Sequence, residues 1–188
     1  MKLNESLKKL AQRHAEIEIR RRKLQELSQA AQKMSKQAIF ALQRDEKPRA
    51  AELLRQAQVA LLEGRKIVLG EKRLYSEGMW RAALEEFCEA FFFERYIAGK
   101  ELLPVPVTDE PDILVGGLSD LIGEFVRLAV KRAIDRDKKS VDKLLEMSNE
   151  LIEFMLALDA TGALRNKIDQ ARQHQRRLED IRYDLSLV

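Results

Sequence analysis

Leu114-Val-Gly-Gly-Leu-Ser-Asp-Leu-Ile-Gly-Glu-Phe-Val-Arg-Leu128 carries two patterns at once. Leu118, Leu121, Ile122, Phe125, Leu128 and Ala129 recur at spacings of three and four. They predict a helix with one buried stripe, from near Asp112 or Leu114 to about Ile134. Gly116, Gly117, Ser119 and Gly123 are weak choices for an exposed helix, each Gly disfavouring it by about 1 kcal/mol relative to Ala. Small residues instead permit close approach by another helix, a ligand or a phosphate backbone. Asp120 and Glu124 share the face opposite the apolar stripe, together with Arg127 and Lys131.

Working outward, the upstream segment Trp80-Arg-Ala-Ala-Leu-Glu-Glu-Phe-Cys-Glu-Ala-Phe-Phe-Phe-Glu-Arg-Tyr-Ile97 predicts another helix, from Met79 to about Leu102. On its wheel Trp80, Ala83, Leu84, Phe87 and Phe91 cluster, while Glu86 and Glu89 lie roughly opposite, beside Ala82, Ala90 and Phe93. A carboxylate in so apolar a helix requires charge compensation. A divalent metal held by oxygen ligands from two helices would supply it. Periodicity alone favours a second reading, in which Glu86 and Glu89 are surface glutamates at a subunit groove. For Asp120 and Glu124 the ordinary reading is a solvated face paired to bases three or four residues on. Trp80 and Phe91–Phe93 read as packing before they read as stacking platforms.

The rest of the chain is helical as well. Residues 4–46 contain neither Gly nor Pro, and Leu3, Leu10, Ile17, Leu24, Ala31 and Ala38 repeat every seventh position, flanked by Leu7, Leu27, Met34 and Leu42. At 1.5 Å per residue such a helix is about 65 Å long, too long for a compact domain of this mass. It must protrude, bend or pack on another subunit, which predicts an oligomer. A second helix is expected over 49–69, with Leu53, Leu54, Ala57, Ala60 and Leu61 inward, weakened by Gly64 and ending near Gly70. A connector, in part helical, passes through Tyr75 and Gly78. Pro104, Pro106 and Pro111 predict an extended loop. Two more helices follow, over 138–158 and 163–185, separated by Asp159-Ala-Thr-Gly162. The expectation is an all-α protein, about six helices in an antiparallel bundle, with residues 1–188 as one domain.

Composition narrows the function classes. A single cysteine, Cys88, excludes an internal disulfide and suits a reducing cytosol. No 18-residue apolar run suggests a membrane span, and the N-terminus lacks the apolar core of a signal peptide, so a cytoplasmic location without membrane contact is expected. The net charge is only +3, but residues 1–49 carry 13 Lys/Arg against 6 Asp/Glu, and residues 76–125 carry 3 against 11. A basic arm beside an acidic centre suits a metal-using nucleic-acid protein, and equally a helical protein with self-complementary surfaces.

The two quoted segments, with the closing Leu178-Glu-Asp-Ile-Arg-Tyr-Asp-Leu-Ser186, resemble the translin family, most specifically in the Gly-Leu-x-Asp-Leu-x-Gly-Glu run and the terminal Tyr-Asp-Leu-Ser. Within that family the chain looks like the catalytic branch, translin-associated factor X. Glu86, Glu89, Asp120 and Glu124 fall where that branch places its catalytic acids. The resemblance implies a homo-oligomer, an octamer in many members, enclosing its acids and cleaving single-stranded RNA as an endoribonuclease.

On that reading Glu89 and Glu124 would ligate Mg2+ or Mn2+, while Glu86 and Asp120 would complete the shell through water or orient the attacking hydroxide. The metal would promote hydrolysis of the phosphodiester and offset charge on its oxygens. Arg20, Arg21, Arg22 and Lys23, with Lys72, Arg73 and Arg81, are the expected phosphate contacts. The run on the long helix also reads as a plain solvated face. His14 and His174 are distant in sequence from the acids and receive no role. Two alternatives stand beside the nuclease: a non-catalytic binder of single-stranded RNA or DNA with the same fold, and a helical scaffold whose acids only pair between subunits.

Overall fold

Uninterrupted by Gly or Pro, the first segment forms one helix of 42 residues, α1 (Lys2–Gln43). It is followed by α2 (Lys47–Gly70), a 3-10 turn (Lys72–Ser76), α3 (Gly78–Ile97), α4 (Pro111–Ile134), α5 (Lys138–Ala157) and α6 (Gly162–Asp184). The computed structural model describes residues 2–187, with side chains from Asn4 onward, so Leu3 of the expected stripe lies outside the described side chains. The architecture is all-α, and among the described residues there is no strand.

Short turns make sequential helices neighbours. Asp45, Arg136 and Asp159 take left-handed φ values of 61°, 56° and 48° to close three of them. Pro48 and Pro111 occupy first-turn positions of α2 and α4, where a missing N–H costs nothing. Pro111 therefore begins a helix instead of belonging to the extended loop. The Asp137 carboxylate caps α5 by accepting from the Ser140 backbone N–H at 3.1 Å. Helix α3 stops at Ile97, five residues before the expected end. There Gly99, at φ 66°, reverses the chain, and the Lys100 N–H closes back on the Arg95 carbonyl at 2.9 Å. A glycine beyond the last turn is a strong stop, outweighing the apolar Leu102 and Leu103 that follow.

The long helix resolves the length problem by protruding. Ile17, Leu24, Ala31 and Ala38 are buried, so the seven-residue stripe holds from Ile17 onward. Residues 4–16 are all exposed, with Leu10 at 65%. From there α1 packs on α2 and α3, while α4 packs on α5 and α6; α3 against α4 joins the two halves. One apolar cluster runs through both, centred on Phe87, Phe92, Phe93, Leu121, Ile122 and Phe125. Trp80 and two of the three consecutive phenylalanines are thus core. Gly64 is the seat of Trp80: a Cβ there would lie 2.6 Å from the indole ring.

Gly117 sets the α3–α4 distance. A Cβ at Gly117 would meet the Cβ of Cys88 at 2.6 Å and the backbone N of Glu89 at 3.1 Å. At Gly116 the obstacle is only the Glu85 carboxyl group, at 2.9 Å. Of the three occupants the sequence allowed for the small-residue stretch, a helix is the one present at these two glycines. Gly117→Ala is expected to lower stability by about 1–3 kcal/mol through overpacking against backbone. Gly116→Ala should be near neutral, because a carboxyl can swing aside and Ala gains about 1 kcal/mol of helix propensity. Urea unfolding of both variants checks this; equal losses would contradict a backbone-limited contact at Gly117.

Candidate active site

The contact at Gly117 brings the acidic faces of α3 and α4 together. Glu86 and Glu89 from α3 and Glu124 from α4 line one pocket of about 210 Å³, closed on its third side by Lys36, Ile39 and Phe40 of α1. Arg127 completes the lining. A larger cavity, of about 440 Å³, lies towards the other end of α3 and α4, around Tyr96, Leu128 and Lys143, and contains none of these four acids.

Each carboxylate has a different set of partners. Glu124 is only 5% exposed. Its Oε2 accepts from the Gln43 side-chain amide at 3.0 Å, and its Oε1 pairs with Arg127 at 3.2 Å. Glu86 pairs with Lys36 at 3.5 Å. Asp120 does not line the pocket. It accepts at 2.7 Å from the Lys167 ammonium, which also reaches Glu85 at 2.8 Å. Glu89 is the exception: among the described residues no hydrogen bond or ion pair reaches its carboxylate.

The electrostatics follow from those partners. Burial pushes Glu89 up to about 8, and the charges of Glu124, Asp120 and Glu86 add to it, with Arg127 opposing. Burial also raises Glu86, against the pull of Lys36, and raises Glu124, against the hydrogen bond from Gln43 and the charges of Arg127 and His174. Burial alone would lower the Lys167 ammonium, but its hydrogen bonds to Asp120 and Glu85 prevail and hold it above its ordinary value. The Cys88 thiol between the two helices is pushed by burial up to about 12 and is chemically quiet.

The four sequence-predicted acids therefore form one electrostatic unit, three of them around a shared pocket. Arg127 pairs with Glu124 as its spacing suggests, whereas Lys131 reaches across to Asp45 at 2.7 Å and the Gln43 carbonyl at 3.0 Å. His174 is near the acids in space: a Cβ on Gly123 would lie 3.5 Å from its Nε2, and its charge acts on Glu124. Its place comes from α6 packing on α4, which sequence separation conceals. The same holds for Lys36, Gln43 and Lys167, each on a helix other than that of the acid it serves.

The predicted basic residues sit elsewhere. Arg20 donates to the Gly70 carbonyl at 3.2 Å, Arg21 pairs with Glu77 at 2.8 Å and with Glu18, and Lys23 pairs with Glu26 at 3.5 Å. Arg73 approaches Glu71 at 3.9 Å and Arg81 pairs with Glu110 at 3.0 Å. Arg22 and Lys72 are exposed. The 20–23 run begins about 24 Å along α1 from Lys36. Within one chain it does not border the acids; Lys36, Arg127 and Lys167 do.

For a divalent cation, the donor chemistry fits. Carboxylate oxygens are the ligands Mg2+ and Mn2+ prefer, and Glu89 is a partly buried carboxylate that no cation pairs with among the described residues. Among the described residues no group of three or more His, Cys, Asp or Glu is arranged to hold a metal as it stands. Glu86 and Glu124 would have to release Lys36 and Arg127.

A helical bundle carrying an acidic pocket between two central helices is a class of protein, and sequence and structure comparisons identify its family. The Translin family model matches residues 19–187, so the chain belongs to the Translin family. Its fold is similar to "apo-NeC3PO", at a TM-score of 0.86 and 18% identity, covering 95% of this chain and 96% of that one. It is similar also to AfC3PO in the "AfC3PO - duplex RNA complex", at 0.81 and 23% identity, covering 100% and 97%. AfC3PO solved separately gives 0.82 at 23% identity over 100% and 98%. No curated protein sequence matches significantly. No helix among the described residues is long and apolar enough to cross a membrane.

A raised carboxyl pKa destabilises the folded chain as pH climbs. Between about pH 4.3, where an unfolded Glu ionises, and about pH 8 the folded state holds a proton on Glu89 that the unfolded state has lost. Stability is therefore fully present below that window and falls through it. Glu89→Gln cannot ionise, so in EDTA its melting temperature should match the parent near pH 4.5 and exceed it progressively towards pH 8. Thermal melts across that range check this; a constant gap would contradict it.

Proposed function

We propose that this chain is a metal-dependent endoribonuclease that cleaves single-stranded RNA inside a homo-oligomer, with an octamer as the expected assembly. One observation carries the reading: the partly buried Glu89 has no ion pair or hydrogen bond among the described residues, and it shares a pocket with carboxylates from its own helix and from α4. A folded protein keeps such an arrangement where a cation is to be bound. The duplex RNA bound in the AfC3PO complex supports RNA as the ligand class.

In this reading Glu89 and Glu124 hold Mg2+ or Mn2+ from opposite helices, and Glu86 and Asp120 stand behind them. The bound cation would supply Lewis-acid polarisation of a phosphoryl oxygen and a water nucleophile at neutral pH. The chain's own groups do the rest. Glu89 holds a proton at neutral pH in the metal-free protein and releases it on metal binding, making affinity rise with pH. Gln43 fixes the Glu124 carboxylate, and Lys167 fixes Asp120 and Glu85. Lys36 and Arg127, freed from Glu86 and Glu124, are the nearest cations for the phosphates flanking the cleaved bond. Arg20, Arg21, Arg22, Lys23, Lys72, Arg73 and Arg81 would contact the strand farther away.

A second reading, a non-catalytic RNA binder of the same fold, draws on the pairing of Glu86, Asp120 and Glu124 with bases. Incubating a labelled single-stranded oligoribonucleotide with Mg2+, with Mn2+ and with EDTA separates the two. The nuclease predicts cleavage in either metal, none in EDTA, and at least a 100-fold loss in Glu89→Gln, with RNA binding in EDTA retained. Binding without metal-dependent cleavage by the parent chain would establish the second reading.

A further inference from the structure

Phe40 stands in the wall of the acidic pocket, yet it is 57% exposed, while its neighbour Ile39 is buried. It lies off the stripe of Ile17, Leu24, Ala31 and Ala38 by which α1 joins the core, and among the described residues no aromatic ring pairs with it. The fold therefore gains little from a phenylalanine here. Its surroundings are otherwise charged: Lys36 one turn earlier on the same face of α1, Arg127 from α4, and three carboxylates. A cation and an open aromatic face side by side at the mouth of an acidic pocket match the parts of a nucleotide, its phosphate and its base.

Resting on the nuclease reading above, we infer that Phe40 is the stacking platform for the nucleobase next to the cleaved phosphodiester, with Lys36 receiving the adjoining phosphate. This defines the substrate further. A base inside a duplex is covered on both faces by its neighbours, whereas an unpaired base offers a free face to an aromatic ring. Stacking on Phe40 therefore selects unpaired nucleotides and tolerates any base, since each has a π face. The phenylalanines that the sequence made conspicuous cannot take this part, because Phe92 and Phe93 are fully buried and Phe91 stacks on Phe87 at 5.9 Å.

The test is fluorescence anisotropy of a labelled oligoadenylate in EDTA, with the parent chain, Phe40→Ala, Phe40→Leu and Phe40→Trp, together with the native mass of each. Alanine and leucine should both weaken binding about 10- to 100-fold. Tryptophan should retain binding, and its emission should be quenched by the strand. In Mg2+ the alanine variant should raise KM more than it lowers kcat, and binding of a fully paired duplex should be unchanged. Parent-like binding by the leucine variant would overturn the inference, since apolar volume would then suffice. A changed native mass would also overturn it, by assigning the ring to a subunit contact. If the parent binds and cleaves RNA but no Phe40 variant differs from it, only this inference fails. If the parent binds no oligonucleotide, the nuclease reading fails with it.

Discussion

Backbone meets backbone where Gly117 of α4 presses on Cys88 and Glu89 of α3, and the candidate site depends on that contact. With no room for a Cβ, the two helices approach closely enough for Glu89 to feel Asp120 and Glu124 as near charges. A larger residue would move the carboxylates apart and admit water between them. It would also disturb the apolar layer immediately behind, where Phe87 and Phe125 are fully buried. Helix propensity given up at Gly117 is thus exchanged for proximity. The same device recurs at Gly64, which admits Trp80.

Bringing like charges together is unfavourable, and the surrounding helices limit the penalty unevenly. Lys36 from α1, Lys167 from α6 and Arg127 from α4 each compensate a carboxylate, and Gln43 adds a neutral hydrogen bond. Among the described residues Glu89 alone of the four receives no direct ion pair or hydrogen bond, and three neighbouring carboxylates add to the effect of its burial. In a closed salt-bridge network every acid would be satisfied and its pKa low, and Glu89 departs from that pattern. The uneven compensation also distinguishes the surroundings of the four acids. Glu124 is buried and Glu89 partly buried on opposing helices, Glu86 is tied to an exposed lysine, and Asp120 lies outside the pocket, paired with Lys167.

The order and type of the helices were legible because a buried stripe at spacings of three and four leaves a direct trace in sequence, and because glycine and proline mark ends. The end of α3 is hidden for a related reason: apolar Leu102 and Leu103 extend the pattern, and the left-handed turn at Gly99 stops it. The acids were legible as pairs, since i, i+3 and i, i+4 spacing fixes a face. Their partners were not. Lys36, Gln43, Lys167 and His174 reach the site from α1 and α6, and nothing local in those helices marks them. Phe40 was likewise silent, being one apolar residue among many until its exposure beside the pocket became visible. The basic 20–23 run had the opposite fate, since it was conspicuous in sequence but is directed towards Gly70, Glu77 and neighbouring glutamates.

In the proposed nuclease, Glu89 and Glu124 serve one cation from two helices. Calorimetric titration of Mn2+ into the parent chain, Glu89→Gln and Glu124→Gln, each at pH 7 and pH 8.5, tests it without reference to catalysis. A shared ion requires a site in the parent that tightens at the higher pH and is lost in each single variant alike. Undiminished Mn2+ binding in either variant would mean that the two carboxylates do not share an ion, and would contradict it.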